Sequence, residues 1–263
     1  MPTDVTLLIA TYNWPEALAL VLESVLNQSR LPDCICIADD GSGAKTQETI
    51  AFYQKKFACP LKHFWHPDDG FQKTIILNQA IQNIDTQYTI QIDGDCILHP
   101  NFIEDHLLAA QKNQFIHGSR VFLGKGFTKK LLEDSNLNLK FWFLDAKNVL
   151  NGFRSNLLSG LFSKTNQNLK ATRGCNFSFW TKDVLLAKGY NQNMKGWGLE
   201  DTELSARLIH RGLFKKQLKF SGLVYHLDHP KNEKKGENPN LPILENTLKQ
   251  KLTQTPFGIK DEA

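Results

Sequence analysis

Two aspartates with one glycine between them, Asp93-Gly94-Asp95, follow a short β-rich run at residues 88–92 and precede Cys-Ile-Leu-His-Pro at 96–100. The run predicts a strand, and the proline predicts a first helical turn near Pro100. Two carboxylates at i and i+2 then leave a buried strand together at its carboxyl end, the edge where open α/β sheets bind ligands. Gly94 allows a sharp turn and leaves space for a ligand. Hard oxygen donors in this position suit Mg²⁺ or Mn²⁺ carrying a diphosphate. Taken alone, Asp-Gly-Asp is also a common turn sequence. A calcium loop is excluded, because Ile97 stands at its fifth position and no Asp-Gly follows.

Such residues need elements to hold them. Residues 5–10 form a continuous apolar run of the kind buried in a parallel sheet. Thr11-Tyr12-Asn13 follows, then a helix with Leu18, Val21, Leu22, Val25 and Leu26 on one stripe, Asn13 as N-cap and Pro15 in the first turn. Residues 34–38 predict a second strand, ending in Asp39-Asp40-Gly41-Ser42, and residues 46–57 a helix. Residues 62–66 predict a third strand, followed by Asp68-Asp69-Gly70-Phe71-Gln72-Lys73 and a helix through Ile84. With the strand before Asp93, this alternation predicts an α/β fold: a Rossmann-like, mostly parallel sheet flanked by helices.

Regularity fades after Ser119 and returns at Gly174-Cys175-Asn176. Gly196-Trp197-Gly198-Leu199-Glu200-Asp201 leads into a helix with Leu204 and Leu208 on one face, where Glu203 and Arg207 read as a surface i,i+4 pair. Residues 218–226 predict a closing strand or hairpin arm, and the polar, Pro- and Asn-containing end a lid or tail.

The 263 residues suffice for one large α/β domain or two small ones, and 41% hydrophobic with 22% charged residues is a soluble globular composition. Five cysteines, an odd number without zinc-site spacing, read as reduced thiols of a cytoplasmic protein. The Met1 end has no leader pattern, and no run reaches the ~18 apolar residues of a membrane span. Net charge is +4 but uneven: residues 118–172 hold nine basic residues against three acids, interleaved with Phe122, Phe127, Phe141, Trp142, Phe143, Phe153 and Phe162. This segment reads either as a peripheral contact with the anionic cytoplasmic face of an inner membrane or as a helical acceptor subdomain with a solvated basic face. No nucleic-acid-binding module accompanies it, so nucleic acid is not expected as a partner.

Thr11-Tyr12-Asn13, Asp39-Asp40-Gly41-Ser42, Asp69-Gly70-Phe71, Asp93-Gly94-Asp95, Gly174-Cys175-Asn176 and Gly196-Trp197-Gly198-Leu199-Glu200-Asp201, in this order, resemble the nucleotide-sugar glycosyltransferases of family 2. Within that family the chain is similar to bacterial lipopolysaccharide-core and capsule enzymes, and its second half to the galactosyltransferase and chondroitin-polymerase type. The resemblance implies a GT-A fold with the acceptor-binding half fused to the donor half. It divides the chain into a donor half (1–117), a basic aromatic insertion (118–173), an acceptor and catalytic half (174–230) and a lid or tail (231–263).

It also implies roles. Thr11, Asp39 and Asp40 would border the base and ribose of a UDP-sugar, since a carboxylate at a strand end can accept the uracil imide N–H; a turn pair is the alternative. Asn78 and Asp93 are donor-side candidates. Leu77 stands where many relatives carry arginine, which makes Lys73 the substitute contact for the diphosphate unless it is a solvated helix lysine. Asp93, Asp95, His226 and His229 are the candidate ligands of Mn²⁺ or Mg²⁺, the histidines having the three-residue spacing of the galactosyltransferase type. Asp201 would take the proton of the acceptor hydroxyl, Glu200 would bind acceptor hydroxyls, and Trp197 would stack on a sugar ring. Glu200 and Asp201 also fit a pair of acids favoured by a helix dipole. The function implied is metal-dependent, inverting transfer of a hexose from a UDP-sugar to a lipid-linked or oligosaccharide acceptor. A nucleotidyltransferase would want a Gly-rich phosphate loop after the first strand, and a non-catalytic binding protein would lack Asp201 or the Asp95–histidine set.

Overall fold

The computed structural model describes residues 1–134, 152–230 and 238–260. The first half runs β1 (Val5–Thr11), α1 (Pro15–Leu26), β2 (Cys34–Asp39), α2 (Ala44–Gln54), β3 (Leu61–Trp65), α3 (Lys73–Gln82), β4 (Tyr88–Asp93), β5 (Cys96–Leu98), α4 (Phe102–Ala109) and β6 (Gln114–His117). Then come β7 (Arg120–Phe122), α5 (Lys125–Asp134), α6 (Asn156–Phe162), β8 (Lys164–Asn166), β9 (Asn176–Trp180) and α7 (Thr181–Leu186). The described chain closes with α8 (Glu200–His210), β10 (Phe214–Gln217), β11 (Val224–His226) and α9 (Leu241–Gln250).

All seven residues of β1 are buried. Val5, Leu7 and Ile9 pack with Leu18, Val21 and Leu22 of α1, whereas Leu8 and Ala10 pack with Ile76 and Leu77 of α3. A strand covered on both faces has no polar side, which is why its sequence shows no alternation. The large sheet has the order β3-β2-β1-β4-β9-β6-β10-β8, with β3, β2, β1 and β4 mutually parallel. The second half extends this sheet rather than building its own: β9 inserts antiparallel between β4 and β6. The expected α/β architecture with a mostly parallel sheet is the one observed.

Several local expectations need correction. Between Asp95 and the next helix lies β5, and α4 starts at Phe102 instead of near Pro100. Residues 218–223 are not strand; the closing strand is β11, which joins β5 and β7 in a separate sheet of order β5-β11-β7. Asn13, at φ 46°, does not cap α1, whose N-cap is Trp14; its Oδ1 accepts the Gly43 N–H at the start of α2 instead. The basic aromatic segment contributes strands β7 and β8 besides helices, and its Phe141, Trp142 and Phe143 lie outside the described residues. The five cysteines are free thiols, and no helix among the described residues is long and apolar enough to cross a membrane.

Glu203 and Arg207 are not a surface pair. Both are fully buried, Arg207 Nε and Nη2 holding the Glu203 carboxylate at 2.7–3.1 Å. Arg207 also donates to the carbonyls of Ala187 and Gly189, and Thr247 of α9 donates to Glu203. Periodicity could not show this, because α9 supplies the cover from some forty positions further on. Replacing Arg207 by Met should strand a buried carboxylate and cost about 3–5 kcal/mol in denaturant unfolding, with E203M/R207M recovering much of the loss.

Candidate active site

Because β1, β2 and β4 are parallel and adjacent, their carboxyl ends share one edge. Thr11 lies opposite Asp39, and Ala10 opposite Asp93. Above this edge opens a cleft of about 790 Å³, lined among others by Thr11, Asp40, Lys73, Asp93, Asp95 and Trp197. Gly94 serves the site through space rather than through an unusual φ: its N–H reaches Ala10 O at 2.7 Å, and a Cβ there would meet Thr11 Oγ1 at 2.8 Å.

Asp39 and Asp40 diverge. Asp39 is wholly buried, accepting from the Ser42 N–H at 2.8 Å and lying 3.0 Å from His63 Nε2, so it shapes the turn and does not line the cleft. Asp40 lines the cleft; it accepts the Gln72 N–H at 3.0 Å, and burial pushes its carboxyl above the usual range despite that bond and His66. Asn78 is also away from the cleft. Its amide accepts from Tyr190 N at 2.7 Å and donates to Tyr190 O at 2.8 Å, which leaves it a positioning residue for Tyr190. The side chain types of Asp39 and Asn78 suited a donor contact, but long-range partners hold both.

The two carboxylates of Asp93-Gly94-Asp95 part company as well. Asp93 Oδ1 binds Lys73 Nζ at 2.6 Å. Burial alone would lower the Lys73 ammonium, but the carboxylates of Asp93, Asp201 and Glu200 around it raise it above its ordinary value. Lys73 is therefore no solvated helix lysine. Asp95 Oδ2 faces the histidines, at 3.6 Å from His226 Nε2 and 3.3 Å from His229 Nε2. Both rings place Nδ1 on a backbone carbonyl, His226 on Leu227 O at 2.8 Å and His229 on Pro230 O at 3.0 Å. A ring that donates through Nδ1 presents the Nε2 lone pair, the orientation used by metal-bound histidines. The hydrogen bond to Asp95 raises His229 to about 9, so without a metal its ring is a cation paired with that carboxylate; a divalent ion such as Mn²⁺ would displace the proton and could take the Asp95 oxygen and the two Nε2 atoms as donors. Cys96 Sγ also lies within 4.8 Å of the Asp95 and His226 donor atoms. Burial pushes this thiol well above its usual range.

Glu200 and Asp201 open α8 through a run of left-handed residues: Gly196 (φ 73°), Gly198 (φ 106°) and the non-glycine Leu199 (φ 75°). A leucine there is strained. The turn leaves Trp197 54% exposed at the cleft. Asp201 Oδ2 accepts the Gly174 N–H at 2.7 Å, and Oδ1 lies 3.1 Å from the Tyr190 hydroxyl, which also reaches Gln91 Oε1 at 2.9 Å. A Cβ at Gly174 would come within 2.4 Å of Asp201 Oδ1, so this carboxylate needs glycine beneath it. Burial, then the charge of Glu200, push Asp201 up to about 7, against the pull of Lys73. Glu200 is 3% exposed, and its Oε2 has no hydrogen-bond partner among the described residues. Tyr190 carried no motif signal; only the fold shows that it braces Asp201.

Residues 6–162 match the family model described as glycosyl transferase family 2. The chain belongs to that family. Residues 161–230 match a second model, described as the N-terminal domain of galactosyltransferase. The family 2 chain is 22% identical to a chondroitin synthase of Escherichia coli over 91% of its own length and 38% of that protein's. It is 23% identical to a hyaluronan synthase of Pasteurella multocida, over 91% of its length and 26% of that protein's. It thus spans well under half of these curated relatives. Among solved structures it is similar to S. aureus TarS 1-349 in complex with UDP, with a TM-score of 0.61, 12% identity, and coverage of 87% of this chain and 61% of that one. That likeness shows the GT-A fold. As a member of family 2 the chain is a glycosyltransferase, and the cleft at the carboxyl edge of its sheet is the candidate active site.

Proposed function

We propose that the chain transfers a hexose from a UDP-sugar, with inversion at the anomeric carbon, to a lipid-linked or oligosaccharide acceptor of a bacterial lipopolysaccharide core or capsule, at the cytoplasmic face of the membrane. The observation that carries this reading is the nearness of two centres: Asp95 with His226 and His229 in the cleft, and Asp201 with Glu200 behind it, whose charges act on the cleft-lining Lys73–Asp93 ion pair. Asp40 and Thr11 at the strand ends would border the base and ribose. Asp95, His226 and His229 would hold the divalent ion, which when bound neutralises charge on the diphosphate as the sugar leaves.

The rest is the work of the chain's own groups. Lys73 brings positive charge to the diphosphate side of the cleft, while its bond to Asp93 fixes where it points. Trp197 offers a flat face to the acceptor ring. The unpartnered Glu200 Oε2 would accept an acceptor hydroxyl, orienting it toward Asp201. A sugar hydroxyl is a weak nucleophile, so Asp201 Oδ must take its proton as the new bond forms. Its elevated proton affinity suits that task better than an ordinary exposed aspartate would.

A panel of nucleotide sugars with Mn²⁺ and no acceptor tests the reading. One UDP-sugar should bind by calorimetry and release UDP slowly by hydrolysis, with EDTA abolishing release. If none of the panel binds, the transferase reading is rejected.

A further inference from the structure

Along the cleft, Asp40 meets His66, Lys73 meets Asp93, and Asp95 meets the two histidines. Arg120 lines it, yet no acid pairs with Arg120 among the described residues, and its Nε is buried without a hydrogen-bond partner. Its Cζ sits 4.4 Å over the Phe122 ring, and that ring lies 5.2 Å from the His226 ring. Its Nη1 lies 3.6 Å from Cys175 Sγ, next to the Gly174 N–H that holds Asp201. The guanidinium is thus lodged between the metal-side imidazole and the loop beneath the candidate base. Arg173 stands close enough for the two cations to repel: burial, then the charge of Arg120, lower it. It too has no acid partner among the described residues.

Two guanidinium charges near enough to repel, one of them lining the cleft, are unfavourable until an anion joins them. Among the described residues no carboxylate forms an ion pair with either arginine: Asp40 lies against His66, Asp93 is held by Lys73, Asp95 faces the histidines and Asp201 accepts the Gly174 N–H. Neutral sugar hydroxyls would not neutralise the charge. A carboxylate or phosphate would, through the paired N–H donors that make arginine the residue for such groups.

We propose that Arg120, backed by Arg173, forms an anion-reading subsite that receives a carboxylate or phosphate carried by a sugar at the transfer point, so that this enzyme handles an acidic saccharide. The placement at the transfer point rests on the proposed function; the binding of an acidic sugar does not. A hexuronate carboxylate and a sugar phosphate share the recognised chemistry, and the probes separate them.

The test uses the full chain, R120Q and R120K, after thermal unfolding shows that each variant folds. Saturation-transfer NMR with a hexuronate-terminated disaccharide, its carboxyl-reduced counterpart and a phosphorylated disaccharide, with and without UDP, reads the subsite even if no UDP-sugar is turned over. The parent should favour one acidic probe over the reduced one by about tenfold or more. R120Q should lose that preference and R120K keep part of it, since a point charge lacks the guanidinium fork. Preference for the uronate or for the phosphate identifies the group. Calorimetry with UDP and Mn²⁺ guards against the other source of anionic oxygen: if R120Q weakens UDP as much as it weakens the acidic sugar, Arg120 serves the diphosphate and the proposal fails. It fails equally if the parent treats acidic and reduced probes alike. Failure of the transferase reading looks different, as loss of every nucleotide-sugar response in the parent.

Discussion

Asp201→Asn should reduce sugar transfer by about 10²–10⁴-fold while UDP-sugar affinity changes only a few-fold. Asparagine keeps the shape of the site. Its Oδ1 can still accept the Gly174 N–H, and its Nδ2 can donate to the Tyr190 hydroxyl while that hydroxyl donates to Gln91. What it lacks is a lone pair basic enough to take a proton. The loss should therefore fall on kcat, with binding measured by calorimetry preserved. A variant that transfers at the parent rate would remove Asp201 as the base.

The same group sets a pH dependence. Asp201 is raised to about 7, so the parent should show an acid limb near that pH, falling about tenfold per unit below it. The sign of each neighbour follows from its charge. Glu200→Gln removes a like charge and should move the limb to lower pH; Lys73→Met removes the opposing cation and should move it higher. Both shifts are read from kcat/KM profiles, and a limb that ignores both changes would show that another group titrates.

The second large effect is expected at Asp95. Loss of partners outside the coordination shell already costs about 10–100-fold in metal affinity. Asp95→Ala, which removes the oxygen donor facing both imidazoles, should exceed about 100-fold, read as free Mn²⁺ by electron paramagnetic resonance. Added Mn²⁺ should then no longer raise UDP affinity, so binding and transfer fall together, unlike in Asp201→Asn. His226→Ala should weaken the metal too, because its Nε2 is aimed by the Leu227 carbonyl. Parent-like binding of Mn²⁺ and UDP by Asp95→Ala would place the metal elsewhere.

Much of the first half was legible because its signals are local. The apolar run of β1 and the acids ending β2 and β4 each lie within a few residues, and parallel pairing carries them to one edge. Which acid faces the ligand was not legible. Asp39 and Asp40 are adjacent in sequence, yet His63 and the Ser42 N–H hold the first while the second opens onto the cleft. The same holds for Asp93 and Asp95, separated by Lys73 on one side and two histidines on the other. Helical spacing predicted that Glu203 and Arg207 would meet, but not that α9 would bury them.

By itself, then, the sequence determined the alternating α/β layout, the strand ends rich in acids and the likeness to family 2, since each depends on residue type and short spacing. The tertiary structure alone decided that Tyr190 braces Asp201, that Asn78 braces Tyr190 and that Arg120 faces the cleft with no acid partner among the described residues. These contacts join positions up to 112 residues apart. No local propensity encodes them; they exist only because β9 inserts beside β4 and brings the second half of the chain over the edge of the first.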